Sequence, residues 1–235
     1  MGGMTDLATL WPPAGVVVRT SRLELRWPTI EDLCALASVA ADGVHDEAEM
    51  PFMTPWTRGT PQKRARSVLQ WNWSSWGSWD PKRWIWSAVT VVDGRVVGTQ
   101  GMDAVDFGVT RRAETGSWIG REFQGRGIGK EMRAAMLHLA FAGLGAEMAT
   151  TGAFSDNPAS LAVTRSLGYK ENGFSLMAVE DRPRRELRFV LDRATWESTL
   201  RRDDIELAGV EAALPLFGAE PEPAESEVEA AGTSG

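Results

Sequence analysis

A glycine-rich turn ahead of a predicted helix has the residue types that hold an anion. Residues 124–130 read Gln-Gly-Arg-Gly-Ile-Gly-Lys. The glycines lack the Cβ that would keep a bulky anion away from the backbone. The first N–H groups of the helix have no partner within it, and the helix dipole favours negative charge at that end. We expect a diphosphate site, with countercharge from the surrounding basic residues Arg121, Arg126, Lys130 and Arg133.

Two other phosphate-binding motifs fit this segment poorly. A P-loop needs a glycine and then a Ser or Thr at positions that are Gln124 and Glu131 here. The dinucleotide fingerprint spaces its glycines as G-x-G-x-x-G, whereas the spacing here is G-x-G-x-G. A purely structural turn is disfavoured, because glycine in the first turn of a helix costs stability.

The elements that must position this turn are strands mixed with single helices. Alternating apolar and charged residues predict a strand at 22–27, and Thr29 with Asp32 forms a capping box that opens the next helix. Asp93-Gly94 is typical of a hairpin turn. The predicted order is strand 22–27, helix to 41, loop 42–60, helix from 61, strands 84–92, 95–102 and 114–120, helix 125–142, strand 147–154, helix 157–167, strands 173–179 and 185–191, and helix 194–201. This order predicts one mixed α/β domain of the α+β type rather than a doubly wound sheet.

Composition excludes several function classes. The chain has 235 residues, 43% of them hydrophobic, which is enough to bury one sizeable core. With one cysteine and two histidines, we expect no disulfide and no metal centre. Apolar runs are shorter than the roughly 20 residues that span a bilayer, and residues 1–13 do not resemble a signal peptide. We therefore expect a cytoplasmic protein without a membrane partner.

Charge is unevenly distributed along the chain. The net charge is −7, and residues 219–235 contain five glutamates and no basic residue. The rest of the chain is therefore close to neutral, which gives no support for a nucleic-acid partner. We expect an acidic disordered tail over 219–235.

Three motifs, in this order along the chain, carry a family resemblance. They are Glu114-Thr-Gly-Ser-Trp-Ile119, then Gln124-Gly-Arg-Gly-Ile-Gly129, then Asn157-Pro-Ala-Ser160 followed by Leu167-Gly-Tyr169. Together they resemble the GNAT superfamily of acyl-CoA-dependent N-acyltransferases, in the branch related to ribosomal-protein alanine acetyltransferases. Residues 45–58 are similar to an actinobacterial subgroup that includes a mycobacterial succinyltransferase. The resemblance covers about residues 15–195.

The resemblance implies a central, mostly antiparallel, twisted sheet that splays between two strands, with flanking helices. It divides the chain into an N-terminal extension (1–14), the acyltransferase domain (15–201), an apolar C-terminal extension (202–218) and the tail (219–235). It also implies that coenzyme A is the cofactor, with acetyl-CoA or succinyl-CoA as donor. The residues implied to hold the cofactor are Trp118, Ile119, Gly120, Gln124, Gly125, Arg126, Gly127, Ile128, Gly129, Lys130, Asn157 and Ser160.

The implied reaction is direct attack of a primary amine on the thioester in a ternary complex. Glu114 is the expected general base, and the alternative is a surface carboxylate beside Arg111 or Arg112. Other candidates for a base or for acceptor binding lie in the first loop: His45, Asp46, Glu47 and Glu49. The acceptor is a small molecule, a peptide N-terminus or a lysine.

One position departs from the wider family, where a tyrosine commonly precedes the Gly-Phe/Tyr pair by four residues. This chain has Thr164 there, so we expect Ser160 to donate a hydrogen bond to the leaving sulfur instead. Asn157 and Ser160 are alternatively a helix cap and its first turn. Arg58 is placed by the subgroup resemblance as a cation for a donor carboxylate.

Tryptophans are concentrated in residues 71–86. They predict core packing, an aromatic wall around the acceptor that includes Trp84, or a homodimer contact. Cys34 is predicted in the core and His138 at the surface. Two alternatives to an acyl-CoA-dependent enzyme remain at this point. One is a CoA-binding sensor without turnover, and the other is an acyltransferase that uses another carrier.

Overall fold

The computed structural model describes residues 6–220. The strands are β1 (Val17–Arg19), β2 (Glu24–Arg26), β3 (Arg83–Val92), β4 (Arg95–Val105), β5 (Arg112–Ile119), β6 (Met148–Phe154), β7 (Lys170–Val179), β8 (Arg182–Asp192) and β9 (Glu206–Ala208). The α-helices are α1 (Leu7–Leu10), α2 (Ile30–Asp42), α3 (Pro61–Gly77), α4 (Phe107–Thr110), α5 (Ile128–His138), α6 (Pro158–Ser166), α7 (Arg193–Thr199) and α8 (Val210–Ala213).

All nine strands belong to one sheet, in the order β7-β8-β6-β5-β4-β3-β2-β1-β9. Every neighbouring pair is antiparallel except β5 and β6. These two parallel strands pair only over Arg112–Glu114 and Met148–Thr150, although β5 continues to Ile119 and β6 to Phe154. The sheet therefore splays between them, and the predicted mixed fold with a mostly antiparallel, splayed sheet is confirmed.

Local sequence signals account for most of these boundaries. Thr29 and Asp32 form the predicted capping box, with N···O distances of 3.0 and 3.1 Å. Asp93 and Gly94 both have positive φ, 49° and 74°, as a two-residue hairpin of type I′ requires. Strands β1 and β9, each three residues long, were not predicted.

Helix α5 begins at Ile128, three residues later than predicted. Gly125 and Gly127 have φ of 74° and 77°, a left-handed conformation that lies outside the helix. The turn ahead of α5 is therefore a non-helical glycine loop. At its other end, α5 continues into a π-helical turn, Leu139–Gly143.

The main core lies between the sheet and α5. Met132, Met136 and Leu139 are almost fully buried along one face of the helix. Trp196 of α7 stacks on Phe141 with 5.1 Å between ring centroids. Of the helices within residues 6–220, none is long and apolar enough to cross a membrane.

Trp84 belongs to this core, so its expected place in an acceptor wall is wrong. Its side chain is 1% exposed, and its Nε1 donates to the carbonyl of Phe217 at 2.9 Å. The Trp84 and Phe217 rings contact edge to face at 4.8 Å. Trp71 and Trp73 of α3 are 57% and 52% exposed, which leaves a homodimer contact as a prediction.

The C-terminal segment 202–218 completes the sheet and the core. Strand β9 pairs with β1, and Phe217 is fully buried. Arg111 then donates to the carbonyl of Glu220 at 3.0 Å. The predicted disordered tail lies outside the described residues from 221 onward.

Two further side-chain predictions are wrong. Cys34 is exposed, because the buried face of α2 is formed by Leu33, Leu36 and Ala37. His138 is only 9% exposed and packs edge to face on Trp196 at 5.6 Å, because α7 covers that side of α5.

We predict that Phe217→Ala lowers the free energy of unfolding by about 3–5 kcal/mol, since it leaves a cavity beside Trp84. Urea denaturation followed by circular dichroism measures this change. Val109→Ala is the control, because Val109 is 89% exposed. Equal stability of the two variants would show that 202–218 does not contribute to the core.

Candidate active site

A cleft of about 760 Å³ opens where β5 and β6 separate. One wall is formed by the end of β5 and the glycine loop, and another by α6. The loop after α2 and the strands β6 and β8 close the opposite side. Because the strands diverge, a ligand can pass between them and be reached from both faces of the sheet.

The glycine loop provides backbone donors at one end of the cleft. No atom lies within 4 Å of the position that a Cβ on Gly125 would occupy. The backbone N–H groups of Ile128, Gly129 and Lys130 lie in the first turn of α5, where a helix has no internal acceptors. The loop is held from outside by Arg22, whose guanidinium donates to the carbonyl of Arg126 at 2.9 Å. These features fit the pyrophosphate of coenzyme A.

Strand β5 presents unpaired backbone groups to the gap. The N–H of Gly120 donates to the carbonyl of Val97, beyond the end of the β4–β5 pairing, at 2.9 Å. Successive N–H groups along a strand point in opposite directions, so every second residue before Gly120 also directs its N–H toward β4. The N–H groups of Ser117 and Ile119 therefore point away from β4, toward the gap. They are suited to bind an extended amide-containing arm.

Gln124 positions this strand through its side-chain amide. Its Nε2 donates to the carbonyls of Ile119 at 3.0 Å and Val44 at 2.7 Å. Gln124 thus joins β5 to the loop after α2. Gly120 is required for packing, since a Cβ there would collide with Val39.

Asn157 and Ser160 both line the cleft, but they also form the helix cap and first turn that were the structural alternative to cofactor binding. Asn157 Oδ1 accepts from the backbone N–H of Ser160 at 3.1 Å and caps α6. This leaves the Asn157 amide nitrogen and the Ser160 hydroxyl available to the cleft.

Arg133 lies deep in the cleft rather than at the glycine loop. It is 5% exposed and donates to the hydroxyls of Thr164 at 2.8 Å and Ser117 at 3.3 Å. Its Nε is buried without a hydrogen-bond partner. Burial lowers the pKa of the guanidinium.

A buried carboxylate, Glu186, lines the other face of the cleft. It is 8% exposed, and a Cβ on Gly152 would collide with its Oε1. Burial raises the pKa of the Glu186 carboxyl; the charge of Arg188 opposes this shift and that of Glu114 adds to it. A carboxylate whose pKa is raised in this way is a stronger base than a solvated one.

Glu114, the expected base, lies on β5 outside the residues that line the cleft. Its carboxylate is 3.8 Å from Arg112, as expected for the alternative in which Glu114 is a surface carboxylate beside an arginine. It is paired in register with Asp103 on β4. Burial, and then the charge of Glu114, raises the pKa of Asp103 to about 6.

The loop after α2 contributes aromatic rings and a tethered histidine. His45 Nδ1 lies 2.7 Å from the carbonyl of Asp46, and Nε2 lies 2.7 Å from the Thr57 hydroxyl. Both ring nitrogens are thus occupied, so His45 shapes the cleft without a free base. Phe52 packs on Trp56 at 5.2 Å, and Trp56 packs on Trp118 at 5.4 Å.

Arg58 does not reach the cleft, which corrects its expected role as a cation for the donor. Its Nε and one terminal nitrogen contact the Glu180 carboxylate at 2.6 and 3.1 Å. A further bond joins Arg58 to the carbonyl of Glu47. This ion pair raises the pKa of Arg58 and lowers that of Glu180, and it ties the loop to the β7–β8 turn.

The structure brings most sequence-predicted residues to one cleft. Those that line it are His45, Asp46, Trp118, Ile119, Gln124, Gly125, Gly127, Ile128, Gly129, Lys130, Asn157 and Ser160. Those that do not are Arg58, Trp84, Glu114, Gly120 and Arg126. Sequence reasoning missed Arg22 and Glu186. A glutamate followed by the alternating apolar residues of β8 was the available signal for Glu186.

Comparison with known proteins gives the class. Residues 22–170 match the family described as acetyltransferase (GNAT) domain. The match spans more than half of the chain, so the chain belongs to this family and is an acyl-CoA-dependent N-acyltransferase.

Solved structures share the fold at low sequence identity. Mycobacterium smegmatis RimJ, in complex with CoA-disulfide, is 21% identical with a TM-score of 0.66, over 88% of this chain and 97% of that one. RimL, a ribosomal L7/L12 alpha-N-protein acetyltransferase in complex with coenzyme A, is 17% identical with a TM-score of 0.61, over 76% and 99%. A GNAT-family acetyltransferase from Bacillus anthracis is 14% identical with a TM-score of 0.60, over 76% and 99%.

The raised pKa of Asp103 predicts a pH-dependent stability difference. A carboxyl with a raised folded-state pKa stabilises the fold below its unfolded pKa, and this contribution is lost as pH rises through about 6. We predict that Asp103→Asn equals wild type at about pH 4 and exceeds it by about 1–3 kcal/mol at pH 7 and above. Urea denaturation across this range measures the difference. A constant difference at all pH values would contradict the assignment.

Proposed function

We propose that this enzyme transfers an acetyl or other short acyl group from acyl-CoA to a primary amine, with Glu186 as the general base. The observation that carries the proposal is the position of Glu186, a buried carboxylate that lines the cleft on β8. Glu114, the base expected from the sequence, lies outside the residues that line the cleft.

The chain's own groups account for donor binding. The glycine loop and the N-terminus of α5 provide donors for the pyrophosphate, with Lys130 as an exposed countercharge. The N–H groups of Ser117 and Ile119 face the gap, where they bind the extended arm and polarise the acyl carbonyl. Acyl-CoA, when bound there, supplies an activated thioester.

Glu186 takes the proton that the amine must lose. An α-amine, with a pKa of about 8, is partly neutral at pH 7, whereas a lysine amine near 10.4 costs about 4.6 kcal/mol to deprotonate at that pH. A buried carboxylate with a raised pKa accepts this proton more readily than a solvated one. Glu186 passes this first proton to solvent and is again a carboxylate when the neutral amine attacks. The C–N bond then forms as the C–S bond breaks, the electron pair stays on sulfur, and Glu186 takes the second proton of the amine nitrogen.

Charge and shape define the acceptor side. The charge of Glu114 contributes to the raised pKa of both Asp103 and Glu186, so Glu114 lies near both carboxyls. Their negative charge, opposed in part by Arg112 and Arg188, favours a cationic amine. Phe52 and Trp118 line the same cleft, so an apolar part beside the amine can be bound. The acceptor is therefore a cationic amine of a peptide N-terminus, a lysine or a small molecule.

We predict that Glu186→Gln lowers kcat about 10²- to 10⁴-fold, because the general base is lost. Binding of acyl-CoA is expected to stay within about twofold. Release of the CoA thiol, followed with a panel of peptide and small-molecule amines, measures the rate, and calorimetry measures binding. Retention of the wild-type rate and pH profile would reject Glu186 as the base.

Glu114→Gln is the matched control, because it removes a carboxylate on the same side that does not line the cleft. We expect it to change kcat by less than about tenfold. Gly152→Ala is a second variant that keeps the carboxylate but displaces it, since the new Cβ collides with Oε1. Its rate is expected to fall toward that of Glu186→Gln.

The donor is tested separately from the base. Parallel calorimetric titrations with CoA, acetyl-CoA and succinyl-CoA show which acyl group is preferred. Lys130→Ala is expected to weaken all three ligands by a similar factor, because Lys130 faces the shared pyrophosphate. Failure of all three to bind would reject the assignment of the glycine loop.

A further inference from the structure

Arg133 is a buried cation with no carboxylate partner. Within residues 6–220, its hydrogen bonds are made to the uncharged hydroxyls of Thr164 and Ser117, and it forms no ion pair. Buried charges in proteins are normally paired, because an unpaired one is costly. Such a cation, held in place before the reaction, can stabilise an anion that develops beside the guanidinium during the reaction.

The position of Arg133 in the cleft indicates which part of the ligand the guanidinium contacts. Its side chain lines the cleft beyond the glycine loop, beside Ser117. The backbone N–H of the same Ser117 faces the gap that receives the acyl-bearing arm. Lys130, in contrast, is exposed at the helix N-terminus three residues earlier, near the pyrophosphate. Arg133 is therefore at the reacting end of the cleft and Lys130 at the phosphate end.

Acyl transfer itself produces an anion at the reacting end. The new C–N bond forms, the C–S bond breaks, and the electron pair of that bond remains on sulfur, while the amine proton passes to Glu186. We propose, on the basis of the proposed function, that Arg133 is the catalytic cation that stabilises the leaving CoA thiolate, directly and through the Ser117 hydroxyl. The thiolate is then protonated as Glu186 returns its proton through solvent.

The neighbouring residues agree with this role. Thr164 is completely buried and holds one terminal nitrogen of the guanidinium at 2.8 Å, so the fork has a fixed orientation. Ser117 accepts from the other terminal nitrogen, which leaves its own O–H free to donate into the cleft. A cation and a polarised hydroxyl thus face one point, as stabilisation of a developing charge requires.

The test is the thiol pKa of bound CoA, which can be measured without an acceptor. Thiolate absorbance in the ultraviolet is titrated against pH, with CoA lacking its sulfur as the blank. A Cys34→Ser background removes the signal of the exposed protein thiol. We expect the thiol of CoA bound to the wild-type site to ionise at least one pH unit below the value of about 8.5 typical of a free thiol, a tenfold shift.

Matched variants separate this role from phosphate binding and from packing. Arg133→Met is expected to return the thiol pKa to 8.5 or above, and Arg133→Lys to keep it below that value. Lys130→Met removes a cation from the same cleft, and we expect weaker CoA binding with an unchanged thiol pKa. Circular dichroism verifies folding. If Arg133→Met does not fold, the thiol pKa values of CoA bound to wild type and to Arg133→Lys still test the inference, because both are expected below 8.5.

Three outcomes would overturn the inference. The first is a wild-type thiol pKa at or above that of free CoA. The second is the same depressed thiol pKa in wild type and Arg133→Met. The third is a loss of succinyl-CoA affinity relative to butyryl-CoA in Arg133→Met without a change in thiol pKa, which would assign the cation to an acyl carboxylate. Failure of CoA to bind to wild type would instead reject the proposed function on which the inference rests.

Discussion

The site depends on the point where two parallel strands stop pairing. The backbones of strands β5 and β6 pair only as far as Glu114 and Thr150. Beyond this point the Thr151 hydroxyl donates to the carbonyl of Thr115, and the N–H groups of Ser117 and Ile119 face the gap without a partner on β6. Unpaired backbone groups are costly when buried, so the opened sheet is a ready-made receptor for an extended, amide-containing ligand. The glycine loop, α6 and the loop after α2 are arranged around this opening.

The opening also separates two kinds of charge. Arg133 lies on the face of the sheet that is covered by α5 and α6. Glu186, on β8, lines the opposite side of the cleft. Each is buried without an ion-pair partner within residues 6–220. A positive group on one side and a negative group on the other match the two changes of acyl transfer, in which a proton is lost by the acceptor and charge develops on the leaving group.

Sequence reasoning predicted the parts of the structure that depend on local chemistry. The capping box at Thr29, the Asp93-Gly94 turn and the glycine loop are specified by neighbouring residues, and all were found. The place of Glu186, the proposed general base, and that of Arg133 depend on which elements become neighbours. Glu186 reaches the cleft because β8 inserts beside β6, and Arg133 is buried because α6 packs beside α5. The alternating pattern after Glu186 indicates a strand, but it does not show that this strand lies beside β6, and no local pattern shows that α6 covers Arg133. The sequence alone therefore favoured Glu114 as base and placed Arg133 at the phosphate.

The ion pair between Arg58 and Glu180 has a consequence for the loop after α2, which lines the cleft. It joins segments 122 residues apart, and its two side chains are each 37% exposed, so dissolved ions reach it easily. Salt weakens exposed ion pairs much more than buried apolar contacts. Ionic strength therefore loosens the tie between this loop and the β7–β8 turn while the packed interior of the domain keeps its shape, which makes the position of the loop more sensitive to salt than the fold itself.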